Sequence, residues 1–201
     1  MNKKIIFIVS VLLVVVVGIG VWLLQDQNEN KNGNRGEDSV DITPKNENVA
    51  IVYFSATGNT EQVAQYIQEE TNGTLIEIIP QEEYTDDDLN YGNEDSRTSR
   101  EQNSNDARPT IANDIDVSSY DVIYLGYPIW WGDVPKIILT FLDEVDLSGK
   151  TVIPFCTSGG SGIESSMETL KNYNSSIHWI DGKRLSISKS DVVDWVNQLD
   201  Y

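Results

Sequence analysis

Ser55, Thr57 and Thr60 place three hydroxyls within six residues, with Gly58 and Asn59 between them. The apolar run Val49–Phe54 ends just before this cluster, and a helical pattern starts just after it. Hydroxyls, loop amides and the positive end of a helix therefore converge on one point. Such a junction holds a phosphate group without help from Lys or Arg. Gly58 can take a positive φ and lets the backbone approach the ligand closely. The cluster is neither a Walker loop, which needs Gly-Lys-Ser/Thr, nor a dinucleotide fingerprint with three spaced glycines.

A second cluster reads Gly126-Tyr-Pro-Ile-Trp-Trp-Gly-Asp-Val-Pro135. Adjacent Trp130 and Trp131 at the end of a strand, where solvent is near, need a flat group to cover. One of the two is expected to pack beneath the helix that follows Val134; the sequence does not say which. A third cluster reads Cys156-Thr-Ser-Gly-Gly-Ser-Gly162. Its glycines and hydroxyls let backbone amides face the polar edge of a ligand. Gly160-x-Gly162 lacks the third glycine of a dinucleotide motif, since Ser165 stands there. Cys156 is the single cysteine, so there is no intrachain disulfide, and it reads as a small buried apolar residue. The single histidine, His178, excludes multi-histidine metal sites and argues against a serine–histidine triad. It reads as a surface or strand-edge residue.

These clusters need a scaffold, and the pattern around them supplies one. Val49–Phe54, Thr74–Ile79, Asp121–Gly126 and Thr151–Cys156 read as strands, with a weaker one within Ile177–Ile187. Val63, Ala64 and Ile67 mark a helix after the first strand. Val134, Ile137, Ile138, Phe141 and Leu142 recur at i, i+3, i+4, i+7 and i+8 after the third. Ile163, Met167 and Leu170 mark another helix, and Val192, Val193, Val196 and Leu199 the last. Repeated strand–helix alternation predicts an α/β fold: a doubly wound, five-stranded parallel sheet with helices on both faces. Ligands bind such sheets outside the carboxyl ends of the strands, where all three clusters fall. The stretch 80–119 resists this reading. It is long, polar and weakly periodic, with a helix expected around Asp86–Gln102. Arg97, Arg100 and Arg108 within it either pair with nearby carboxylates or meet a bound anion.

The first cluster and its flanks, Ile51-Val-Tyr-Phe-Ser-Ala-Thr-Gly-Asn-Thr-Glu-Gln-Val-Ala-Gln-Tyr-Ile67, strongly resemble the phosphate-binding signature of flavodoxins. The second is similar to the flavin loop of a flavodoxin-like subfamily with a Pro-Ile-Trp-Trp-Gly motif. The resemblance spans roughly 49–200. It implies strand order 2-1-3-4-5 and FMN as cofactor. It carries the 5′-phosphate to Ser55, Thr57, Gly58, Asn59 and Thr60. It carries the flavin ring to Pro128, Ile129, Trp130, Trp131 and Gly132, and to Thr157, Ser158, Gly159 and Gly160. The functions it implies are an electron carrier, or an NAD(P)H- or quinone-dependent FMN oxidoreductase. A flavin-free binding module is the remaining alternative. Gly132-Asp133 suits the carrier, because a glycine there leaves the peptide free to turn toward the ring.

Ahead of this domain, Lys3 and Lys4 precede an uncharged apolar stretch, Ile5–Leu24. Twenty helical residues span about 30 Å, the thickness of a bilayer core. Residues 1–24 are thus expected to form one N-terminal transmembrane helix, an uncleaved anchor with Trp22 at the interface. The polar stretch 25–47 reads as a flexible linker, and 48–201 as the FMN-binding domain. The Lys3 and Lys4 flank places the N-terminus in the cytosol and the domain outside the cell membrane. The net charge of −18 excludes nucleic acid as a partner. It favours a redox partner protein that is basic at its docking face.

Overall fold

The computed structural model describes residues 48–201. Among them, uninterrupted apolar runs form the inner strands, as burial on both faces requires. The elements are β1 (Val49–Tyr53), α1 (Asn59–Thr71), β2 (Thr74–Glu77), α2 (Arg97–Asn103), β3 (Val122–Pro128), α3 (Lys136–Glu144), β4 (Thr151–Thr157), α4 (Glu164–Tyr173), β5 (His178–Trp179), β6 (Lys183–Arg184) and α5 (Lys189–Val196). The sheet order is β2-β1-β3-β4-β5, with β6 also paired to β4, and every pair is parallel. This is the expected strand order. The expected anchor and linker lie outside the described residues. No helix among the described residues is long and apolar enough to cross a membrane.

Strand alternation splits the core into two layers. Ala50 and Val52 of β1, with Phe54 just beyond it, face one layer with Ile123, Leu125, Val152 and Cys156, packed against α3 and α4 through Ile137, Phe141, Met167 and Leu170. Ile51 and Tyr53 face the other with Tyr124, Ile153 and Phe155, packed against α1 and α5 through Val63, Ile67, Val192 and Trp195. Each fully buried Val, Leu, Ile or Phe among them contributes about 1.5–3 kcal/mol.

The weak fifth strand has a physical cause. β4 turns alternate backbone groups toward its outer neighbour, as the bonds from Ile180 N–H to the Val152 carbonyl and from Leu185 N–H to the Cys156 carbonyl show. Pro154 lies between them and has no N–H to offer. Opposite it the neighbour breaks into β5 and β6. Val152 pairs with Trp179 and Phe155 with Lys183, so one extra residue is accommodated as a bulge.

The stretch 80–119 is ordered and closed at its base. Pro80 and Ile111 form an antiparallel bridge, and Asn113 links to the backbone of Ile79 and Glu77. The helix it contains is shorter than expected, beginning at Arg97, with turns over the earlier part. The Ser96 hydroxyl caps it by accepting from Ser99 N–H. The excursion then covers α3. The Thr140 hydroxyl donates to the Pro109 carbonyl at 2.9 Å, and α3 is buried almost all round.

Candidate functional site

The carboxyl ends of β1, β3 and β4 open onto a cleft of about 740 Å³, within the range of small-molecule sites. Its floor is built by the first loop. Gly58 stands at the N-cap of α1 with φ 81 and gives no side-chain cap. The N–H groups of the first helical turn are therefore left for a ligand. Asn59 donates to the Thr57 hydroxyl at 3.2 Å, which orients both. The Ser55 hydroxyl is buried with no hydrogen-bond partner. A buried unpartnered hydroxyl costs free energy unless something fills the cleft beside it. Thr60 is buried, and its hydroxyl meets that of Thr157 at 2.8 Å, joining the first loop to the third.

The second loop is a tight turn. Trp130 and Asp133 exchange backbone hydrogen bonds, both at 3.0 Å. The two residues between them are left-handed, Trp131 at φ 52 and Gly132 at φ 78, the sign pattern of a type I′ turn. One of the two tryptophans is buried and the other exposed. Trp130 is 3% exposed and packs edge-on against Phe54 and Tyr84, at 5.3 and 4.9 Å between ring centroids. Trp131 is 45% exposed and tilts against Tyr91 at 5.5 Å. Asp133 steadies the turn, accepting from Val134 N–H and from the Thr169 hydroxyl.

Ten of the residues singled out in the sequence line one cleft: Ser55, Thr57, Asn59, Thr60, Pro128, Ile129, Trp130, Thr157, Ser158 and Gly159. Gly58, Trp131, Gly132 and Gly160 stand beside it in the same loops. Sequence reasoning missed Asp86, Leu89 and Tyr91, which arrive from the 80–119 excursion, and Leu185, Ser186 and Ile187, which follow β6. It also missed Arg184, whose guanidinium donates to the Gly160 carbonyl at 2.8 Å and so holds the third loop. The alternation of small polar and apolar residues after the fifth strand was the only signal for the second group. Nothing local marked the first.

The arginines of the excursion are engaged. Arg97 pairs with Glu101 at 2.8 Å and lies 4.0 Å over the Tyr84 ring. Arg108 pairs with Asp143 at 2.8 Å. Arg100 donates to the Asp95 carbonyl. His178 is an exposed edge residue whose Nδ1 meets the Thr151 hydroxyl. Among the described residues, no group of His, Cys, Asp and Glu is placed to hold a metal. Among the described residues, Asp86 is the only charged side chain lining the cleft, and the first loop offers the cleft neutral hydroxyls and amides.

A family model described as flavodoxin matches residues 48–199. Among solved structures, the chain is similar to a protein of Bacteroides eggerthii assigned as a flavoprotein, with 39% identity over 76% of this chain and 97% of that one, TM-score 0.73. A counterpart from Bacteroides uniformis gives 38% identity, 76% and 99% coverage and TM-score 0.74. A flavoprotein from Lactobacillus acidophilus, solved in complex with FMN, gives 28% identity, 75% and 99% coverage and TM-score 0.61. No curated protein matches. The family match covers the cleft and all three loops that build it, and on that ground the chain belongs to the flavodoxin family.

Proposed function

We propose that this protein is an FMN-binding electron carrier, held at the cell membrane by its N-terminal segment and serving a basic redox partner outside the cytosol. FMN is the cofactor that goes with the family. The residues present fit it. Ser55, Thr57, Asn59 and Thr60, with the free N–H groups opening α1, would hold its phosphate. Pro128, Ile129 and the edge of Trp130 would meet its ring, with Thr157, Ser158 and Gly159 at the polar side. Bound FMN supplies the redox chemistry, and the chain sets its potential and access.

The observation that carries this reading is the buried, unpartnered Ser55 hydroxyl beside an uncapped helix N-terminus. A flavin-free module has no use for it. Arginines free to hold a second anionic ligand would favour the oxidoreductase reading, and Arg97 and Arg108 are instead paired with Glu101 and Asp143. The membrane tether rests on Ile5–Leu24 and its flanking lysines, and the basic partner on the charge of −18.

An anaerobic reductive titration of the full chain, loaded with FMN in detergent, tests the carrier. Two resolved one-electron steps are expected. A single two-electron step, with turnover of NAD(P)H and a quinone, would replace it with the oxidoreductase. Protease added to intact cells should reach the domain; complete protection would overturn its external placement.

A further inference from the structure

The 80–119 excursion touches the rings of the second loop through Tyr84 and Tyr91, and it reaches that loop's backbone through Gln102. Gln102, in α2, donates from Nε2 to the Trp130 carbonyl at 2.9 Å and to the Val134 carbonyl at 3.2 Å. Those carbonyls bracket the two left-handed residues, Trp131 and Gly132. The other end of the Gln102 amide, Oε1, is buried without a partner. A half-satisfied buried amide is a poor device for stability alone.

The turn it grips needs holding. The first central position of a type I′ turn favours Asn, Asp or Gly, and a bulky residue at positive φ is strained. Trp131 is also 45% exposed, so burial does little to keep it there. The Tyr91 ring lies against that of Trp131, and two outside hydrogen-bonding side chains oppose relaxation of the turn itself. One is Gln102. The other is the Thr169 hydroxyl of α4, which donates to Asp133 Oδ2 at 2.8 Å.

We infer that Gln102 is a positioning residue for the cofactor: by fixing the carbonyls on both sides of Trp131–Gly132, it holds the turn in the left-handed form that presents Trp131 at the cleft mouth. The inference rests on the FMN reading above. It makes the excursion a clamp on the ring end of the site, not only a cover for α3. The hydrogen bonds of Gln102 go to the second loop and not to the phosphate loop.

Gln102→Leu keeps the approximate shape and removes both donors. The full chain in detergent, without FMN, is followed by amide exchange in peptides spanning 129–134. Exchange there is expected to quicken roughly tenfold, since two hydrogen bonds are lost. Affinities for FMN and for riboflavin should both fall by a common factor, again roughly tenfold. Riboflavin lacks the phosphate, so a common factor marks the ring end. Ser55→Ala, by contrast, should weaken FMN and leave riboflavin unchanged. Exchange and riboflavin affinity unaltered in a folded Gln102→Leu would overturn the inference. Should that variant not fold, Gln102→Asn, one methylene too short, is expected to move both readouts in the same direction, and no movement counts against the clamp. If the parent chain binds no flavin, the FMN reading fails, and the exchange measurement still decides the clamp.

Discussion

The hydroxyls of Thr60 and Thr157 lie 2.8 Å apart in the buried floor of the cleft, although 97 residues separate them in the chain. One opens α1 and the other closes β4. This bond ties the loop that would hold phosphate to the loop that would face the flavin edge. Removing one partner leaves the other buried without a bond. Thr157→Val is therefore expected to cost about 1–3 kcal/mol in chemical denaturation. The double variant with Thr60→Val should cost less than the sum of the singles, with a coupling of about 0.5–3 kcal/mol. Additive costs would show that the hydroxyls do not act as a pair.

Ser55→Ala should separate stability from binding. Its hydroxyl has no protein partner, so its loss should leave the flavin-free protein as stable or about 1–3 kcal/mol more so. FMN binding, followed by fluorescence quenching, should weaken by about 10–100-fold, the worth of a hydrogen bond to a charged group. A destabilised protein with unchanged FMN affinity would contradict the assignment.

Cys156 should be inert in the native state. Burial pushes its thiol up to about 12, and the thiolate is the reactive form. At pH 8 a thiol reagent should label it only at the rate of unfolding. The same burial raises the phenols of Tyr53 and Tyr127, and of Tyr84 beside Glu101. In each case the unfolded chain releases its proton first. The stabilisation is thus complete below the unfolded values, near 9 to 10, and is lost as pH rises through the folded ones, with a slope of up to about 1.4 kcal/mol per pH unit per group. Denaturation midpoints should be level near pH 8 and fall from about pH 9 to 11. A flat profile would show that these groups are not shielded.

Asp86 bears on the potential. One unit charge at about 10 Å and effective dielectric about 20 is worth about 1.7 kcal/mol, or about 70 mV for a one-electron step. Asp86 is exposed, so solvent and salt reduce this. Asp86→Asn should raise the reduction potential of the bound flavin by some tens of millivolts at low salt, and by less at high salt. A salt-independent or negative shift would rule out the charge as the cause.

Much of the scaffold is written locally. Val49–Phe54 reads as a doubly covered strand because each residue is apolar, and Ile137, Ile138 and Phe141 read as a helix because of their spacing. The first loop is legible because its hydroxyls, Gly58 and helix start are contiguous. What was not legible depends on distant contacts. The excursion owes its order to Asn113, Thr140 and Gln102, which reach across 28 to 36 residues to their partners. Which tryptophan is buried depends on Phe54 and Tyr84. Pro154 was visible all along. A proline within an inner strand signals that the neighbour on one side must break.

That break bears on how the protein behaves when concentrated. An exposed strand edge is a template for another chain, and long flat edges invite aggregation. Here one edge is β2, four residues long. The other is interrupted opposite Pro154 into two pairs of residues separated by a bulge. Neither margin offers a stranger enough consecutive N–H and C=O groups to dock. With a charge of −18 adding mutual repulsion, the domain is built to stay dispersed even where many copies crowd together.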